Sequence, residues 1–181
     1  MKQQAEAEAL LDQLLKQNPA AAGTQNLAGQ FRLVLGDLPA AEKHFGEALR
    51  ADAASGPARF GLANIALRQN KPDEALAQYE QVISANPGLS AAYKGVASAL
   101  ELKGQADGVP ARLESFAAPH AKKAAPLAVL AEYALRNSRP GEALEWARQA
   151  REREPELAYA REIFVQSVLA QAGRQSTSGE L

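Results

Sequence analysis

The stretch from Phe60 to Pro87, FGLANIALRQNKPDEALAQYEQVISANP, holds two runs in which small or apolar positions alternate with polar ones. The first run places them at Leu62, Ala63, Ile65 and Ala66, the second at Ala75, Leu76, Tyr79, Val82 and Ile83. Spacings of three and four put each set on one face of an α-helix. The intervening QNKPDE reads as a turn, and Pro87 closes the second run. Neither helix can bury its apolar face alone, so the pattern predicts a helix hairpin packed against further hairpins.

The rest of the chain supplies them, at a period of 34 residues. A small residue early in the first helix of each pair reads Gly29, Ala63, Ala97, Ala131. The residue opening the second helix reads Ala7, Ala41, Ala75, Val109, Ala143. Two further ladders follow in that helix: Leu11, Phe45, Tyr79, Leu113, Ala147, and Leu14, Ala48, Val82, Phe116, Ala150. Between the helices stand Gly36, Asn70, Gly104 and Ser138, mostly residue types that tolerate the left-handed conformation ending a helix. Pro19, Pro87 and Pro155 mark the exits, and Pro39, Pro72, Pro110 and Pro140 sit near second-helix starts, where a missing N–H costs little.

Helix pairs in this register resemble the tetratricopeptide repeat. The resemblance implies an all-α fold, an α-solenoid formed as a right-handed superhelix of antiparallel helix pairs. It divides the chain into repeats at 22–55, 56–89, 90–123 and 124–157. A lone second helix precedes them within 1–21, a capping first helix follows at 158–172, and 173–181 is expected as a tail. The third repeat departs from the pattern: Gly108 and Pro110 flank Val109, and Pro119 cuts its second helix short. That predicts either a drifted repeat still packed through Leu113 and Phe116, or a local bend. Both ends read as unfinished, with Leu11, Leu14, Phe164 and Val168 in ladder positions that lack a covering helix. A piece of a longer repeat array, self-association through the terminal helices, or a partner would each explain them.

Composition narrows the function. The chain is 46% hydrophobic and 23% charged, and it is rich in alanine, which suits closely approaching helices. A net charge of -1 supplies no field to gather nucleic acid or an anionic membrane. No apolar run is long enough to span a bilayer, and the opening MKQQAEAEALLDQLLKQNP lacks the continuous apolar stretch of a signal peptide. The expected compartment is therefore cytoplasmic, or periplasmic if a targeting segment precedes this sequence. There is no cysteine to form disulfides or thiolate sites. His44 and His120 stand far apart without a triad arrangement, and no metal-ligand spacing or phosphate-binding glycine loop occurs. REREPE, from Arg151, reads as a solvated charge run, and Trp146 as a packing residue. The expectation is a protein without catalytic residues or cofactor.

In the repeat family the first helices line a concave surface. Carrying that pattern over selects Asn26 and Gln30, then Phe60, Asn64 and Arg68, then Lys94, Ser98 and Glu101, and finally Ala128, Glu132 and Arg136. The series Gln30, Asn64, Ser98, Glu132 is polar at one repeated position. Amides there can hold an extended peptide backbone, and Phe60 offers an apolar anchor; a solvated polar face is the plain alternative. The subclass that grips a C-terminal carboxylate needs basic residues where this chain has Ala91 and Gly95, or Ala125 and Val129 one repeat later. It is not a carboxylate clamp. The resemblance implies a scaffold or adaptor for a protein or peptide partner. Phrases such as FRLVLGDLPAAEKHFGEAL are similar to bacterial repeat proteins of exopolysaccharide-export and pilus-assembly systems. A self-assembling structural module and a regulatory part of a larger multidomain protein are the competing readings.

Overall fold

Ten α-helices and one 3₁₀ turn form the computed structural model, which describes residues 2–178, and no strand occurs among them. The helices are α1 (Lys2–Gln17), α2 (Ala22–Val34), α3 (Leu38–Ala51), α4 (Gly56–Arg68), α5 (Pro72–Ala85), α6 (Ser90–Leu102), α7 (Val109–Ala117), α8 (Ala125–Arg136), α9 (Pro140–Arg153) and α10 (Ala158–Ser178). They fall into two compact units, one running to Ala85 and the other starting at Asn86.

The turns explain the hairpins. Gly36, Asn70, Gly104 and Ser138 all have positive φ, at 80°, 59°, 71° and 57°. After each, the next N–H returns to a carbonyl five residues back, as in Asp37 to Arg32 (3.0 Å) and Lys71 to Ala66 (2.8 Å). These bonds satisfy carbonyls that the helix end leaves open. Second helices then begin with proline in their first turn. Asp37 caps α3 by accepting from the Ala40 N–H at 3.1 Å.

In the first unit α2 packs on α3, α3 on α4, and α4 on α5, with α1 against α2. Phe45, wholly buried, is the centre of this core with Ala41, Ala48, Ala58 and Ile65. Its ring fits because two helices present glycine to it. A Cβ on Gly29 of α2 would stand 2.7 Å from the ring, and one on Gly61 of α4 only 2.3 Å. Leu11 is covered, whereas Leu10 and Leu14 of α1 stay exposed.

In the second unit α8 is the most enclosed helix, buried from Ala125 to Ala131 and again at Tyr133 and Ala134. It touches α6, α7, α9 and α10. The 3₁₀ turn Ala106–Gly108 leads into α7, which is nine residues long and holds Val109 and Leu113 in the core. Phe116 meets the buried Tyr93 edge-on, with centroids 5.7 Å apart. Within the expected tail 173–181, α10 continues to Ser178, and 179–181 lie outside the described residues. One glycine within a helix costs only about 1 kcal/mol, so Gly173 does not stop it, and Arg174 reaches back to the Ser138 carbonyl.

The charge run from Arg151 is likewise more than a solvated face. The Arg151 guanidinium lies 3.9 Å from the centroid of Phe164. Arg153 donates to the carbonyls of Ala117 (3.3 Å) and Lys123 (3.4 Å). Glu154 accepts from the Ala124 N–H at 2.6 Å and from Lys123 at 3.2 Å. The run closes the segment between α7 and α8.

Candidate functional site

In the first unit the residues selected from the sequence lie on α2 and α4. Ser55 sets the start of α4: its hydroxyl oxygen accepts from the Ala58 N–H at 3.5 Å and from Asn26 Nδ2 at 2.9 Å. Asn26 therefore braces α2 to α4 instead of facing outward, and its buried Oδ1 has no hydrogen-bond partner. Gln30 is exposed on α2. Arg68, also exposed, donates to the Leu33 carbonyl at 2.9 Å and so holds the last turn of α4 to α2.

Phe60 and Asn64 are one helical turn apart on α4, and both rest on Tyr79 of α5. The Phe60 and Tyr79 rings meet edge-on, 5.7 Å between centroids at 66°, a favoured aromatic geometry. The Tyr79 hydroxyl donates to Asn64 Oδ1 at 2.6 Å. Tyr79 is 1% exposed, and burial pushes its hydroxyl up to about 12, so it remains a neutral donor. Sequence reasoning missed two exposed apolar residues on α2. Leu27 and Val34 of α2 are exposed, Val34 at 83%, and with Gln30 they form one stripe at i, i+3 and i+7. The period-34 series at that position reads Val34, Arg68, Leu102, Arg136, so an apolar residue there was legible in the first and third repeats.

In the second unit the selected charges neutralise one another. Lys94 Nζ lies 2.6 Å from a Glu132 carboxylate oxygen and 4.7 Å from the Tyr159 ring centroid. The Tyr159 hydroxyl also donates to Glu132. Burial disfavours the Glu132 charge, but the hydrogen bonds from Lys94 and Tyr159, with the charges of Lys94 and Arg136, outweigh it and hold the carboxyl below its ordinary range. Burial and the bond to Glu132 raise the Tyr159 hydroxyl. Glu101 pairs with Arg136, and Ser98 is exposed. Cavities of about 200 and 320 Å³ flank the Lys94–Glu132 pair, the first floored by Ala97 and Val129, the second by Ile163. One expectation is corrected: Ala128 is fully buried and lines no surface. Lys94 is engaged in the pair with Glu132.

His44 has a structural partner. Gln25 donates through Nε2 to the Pro19 carbonyl at 2.6 Å, which leaves Oε1 to accept from His44 Nδ1 at 2.7 Å. Burial foremost, then the charges of Arg32 and Lys43, lower the His44 pKa. Among the described residues no group of three His, Asp or Glu side chains is placed to hold a metal ion, and no helix is long and apolar enough to cross a membrane.

Comparison with known proteins gives the family. Two models of the tetratricopeptide repeat match residues 4–57 and 32–100. No curated protein is close enough in sequence to register as a relative. Among solved structures, PilW, a widely conserved type IV pilus biogenesis factor, is similar with a TM-score of 0.62 at 18% identity, over 98% of this chain and 83% of that one. A thermophilic tetratricopeptide-repeat protein of Thermus thermophilus aligns with a TM-score of 0.60 at 20% identity, over 89% and 88% of the two chains. YrrB, a repeat protein with an unusual peptide-binding site, aligns with a TM-score of 0.54 at 20% identity, over 89% and 83%. Proteins of this repeat are generally non-catalytic interaction modules. With repeat models across residues 4–100 and the same helix-pair fold over nearly its whole length, this chain belongs to the tetratricopeptide-repeat superfamily, α-solenoids that serve as scaffolds for protein–protein interaction.

Proposed function

We propose that the protein is an adaptor whose α2–α4 face binds an apolar segment of a partner protein. The observations that carry this reading are the exposed Leu27, Gln30 and Val34 along α2 and, on α4 packed beside it, the partly exposed Phe60 and Asn64. Apolar anchors beside amides match the chemistry of a polypeptide better than that of a polynucleotide or a small metabolite. Arg68 adds a charge at the edge, worth little because it is exposed to solvent. The setting we propose is a bacterial envelope assembly of the pilus or exopolysaccharide kind. The sequence resemblance supports it, and PilW, similar in fold, bears the description of a pilus biogenesis factor. The test is a calorimetric titration with a partner supplied by genome neighbourhood. Replacing Phe60 and Asn64 together by alanine should weaken binding at least tenfold, about 1.4 kcal/mol, with helix content unchanged. Normal binding by that variant would refute the site.

A second reading rests on its own observation. Leu10 and Leu14 on α1, and Val165, Val168 and Leu169 on α10, are exposed apolar side chains on terminal helices. Self-association through them would make the protein a structural module, and it would appear as a mass in solution that rises with concentration and is abolished by Leu169→Glu.

A further inference from the structure

We infer that the cavity between α3, α4 and α5 of the first unit is a second binding site, one that takes an arginine side chain of a partner polypeptide. The cavity holds about 330 Å³, within the range of about 300–1,000 Å³ that ligand pockets occupy. Its α4 lining is Leu62, Ile65, Ala66 and Gln69. At 3.6 residues per turn these stand about 150° round the helix from Phe60, Asn64 and Arg68. The cavity is therefore separate from the α2–α4 face, and the inference does not rest on the reading of that face.

The lining divides by chemistry. Ile65 and Ala66 are buried, and Leu62 is partly buried against the Phe45 core, so the floor is apolar. Around it stand groups that can accept hydrogen bonds: the Glu42 carboxylate from α3, the Glu74 carboxylate from α5, and the amides of Gln69 and Gln78. Among the described residues no cationic side chain lines the cavity. Glu42 has no ion-pair partner among them, and Glu74 has only a loose contact of 3.6 Å with the exposed Lys71. Gln78 supplies an independent sign, because its Oε1 is buried without a hydrogen-bond partner. An acceptor in that state is costly and uncommon. The wall is one donor short.

A fitting ligand carries several donors, a positive charge and an apolar stem. Arginine has all three: a permanently charged planar fork of five N–H donors on a stem of methylenes that lies along apolar surface. The lysine ammonium is more strongly hydrated and has fewer donors, so it loses more on entering a half-enclosed site. Exposed carboxylates alone hold a cation weakly. The apolar floor and the unpaired amide oxygen are what this cavity adds. The arrangement is peculiar to this place in the chain. One period of 34 residues on, Glu42, Gln69, Glu74 and Gln78 become Leu76, Lys103, Gly108 and Arg112. Two cations there replace four acceptors, so the repeat pattern does not itself supply the site.

The test uses the full chain, isotopically labelled, titrated with N-acetyl-arginine-N′-methylamide and, in parallel, with its lysine and norleucine analogues. The arginine probe should move the methyl signals of Ala66 and of Ala77, which lines the cavity from α5, together with the Gln69 and Gln78 side-chain amides. The Phe60 ring signals should stay in place. The lysine probe should bind at least threefold more weakly and the norleucine probe at least tenfold. Glu42→Gln combined with Glu74→Gln should weaken the arginine probe at least fivefold with helix content unchanged. Gln78→Met keeps the length and removes the unpaired acceptor. It should weaken the arginine probe about threefold while the urea midpoint of the free chain holds or rises, since the acceptor it removes was unpaired. A fall in that midpoint would show Oε1 satisfied in the free protein and overturn its part in the site. Norleucine binding as tightly as arginine would make the cavity an apolar slot and overturn the assignment. If Phe60 responds to arginine while Ala66 and Ala77 do not, this inference fails and the reading of the α2–α4 face stands.

Discussion

Gly61→Ala is the sharpest probe of how the first unit is packed, because local and tertiary effects oppose each other in sign. In a helix interior, alanine in place of glycine is favourable by about 1 kcal/mol. Gly46 of α3 shows that case, since an added Cβ there would meet nothing within 4 Å. At Gly61 the added Cβ would stand 2.3, 2.4 and 2.6 Å from three carbons of the Phe45 ring. Carbon contacts are comfortable at about 3.5–4.0 Å, so the ring must retreat by about 1 Å. It has nowhere to go, being fully buried with Gly29 close on its other side. Overpacking of this kind costs about 1–3 kcal/mol. We expect Gly61→Ala to destabilise by up to about 2 kcal/mol net and to lower the melting temperature accordingly, at about 4–8 °C per kcal/mol for a unit of this size. Gly46→Ala should raise it slightly. The assay is thermal and urea unfolding followed by circular dichroism, since Trp146 lies in the other unit and would report on the wrong helices. Adding Phe45→Leu to Gly61→Ala should cost less than the sum of the two single changes, because the smaller side chain vacates the contested space. If Gly61→Ala stabilises as Gly46→Ala does, Phe45 does not pack between α2 and α4 in the way described.

Two further outcomes follow from ionisable groups. His44 has a folded pKa below its ordinary value of about 6.5 for reasons of burial and neighbouring Arg32 and Lys43. Its contribution to stability is therefore complete above about pH 6.5 and is lost as pH falls through the folded pKa; an NMR titration placing the His44 pKa above 6.5 would contradict this. Glu132, held low by Lys94 and Tyr159, contributes above the ordinary carboxylate range and loses that contribution as pH falls through its folded pKa. Tyr159→Phe should raise the Glu132 pKa and cost about 1 kcal/mol, read from carboxyl carbon shifts and unfolding midpoints, and an unchanged Glu132 titration would show the bond to be absent in solution.

Features that depend on near neighbours along the chain could be read from the order of residues. The turns at Gly36, Asn70, Gly104 and Ser138 were legible because a helix end needs a residue tolerant of positive φ, and all four adopt it. The small-residue series was legible because close helix approach admits nothing larger, and Ala63, Ala97 and Ala131 are buried as that requires. Which group meets which emerged from packing in three dimensions. Gly61 looks like any helical glycine until the Phe45 ring is found against it. Asn26, selected for a surface role, is engaged by Ser55, 29 residues away. Lys94 is paired with Glu132 two helices further on, and Asn64 owes its orientation to Tyr79. Arg153 and Glu154 close a loop 30 residues before them instead of standing in solvent. A period places a residue on a face of its own helix, but the partner across the contact depends on side-chain reach and packing between helices, which periodicity does not encode.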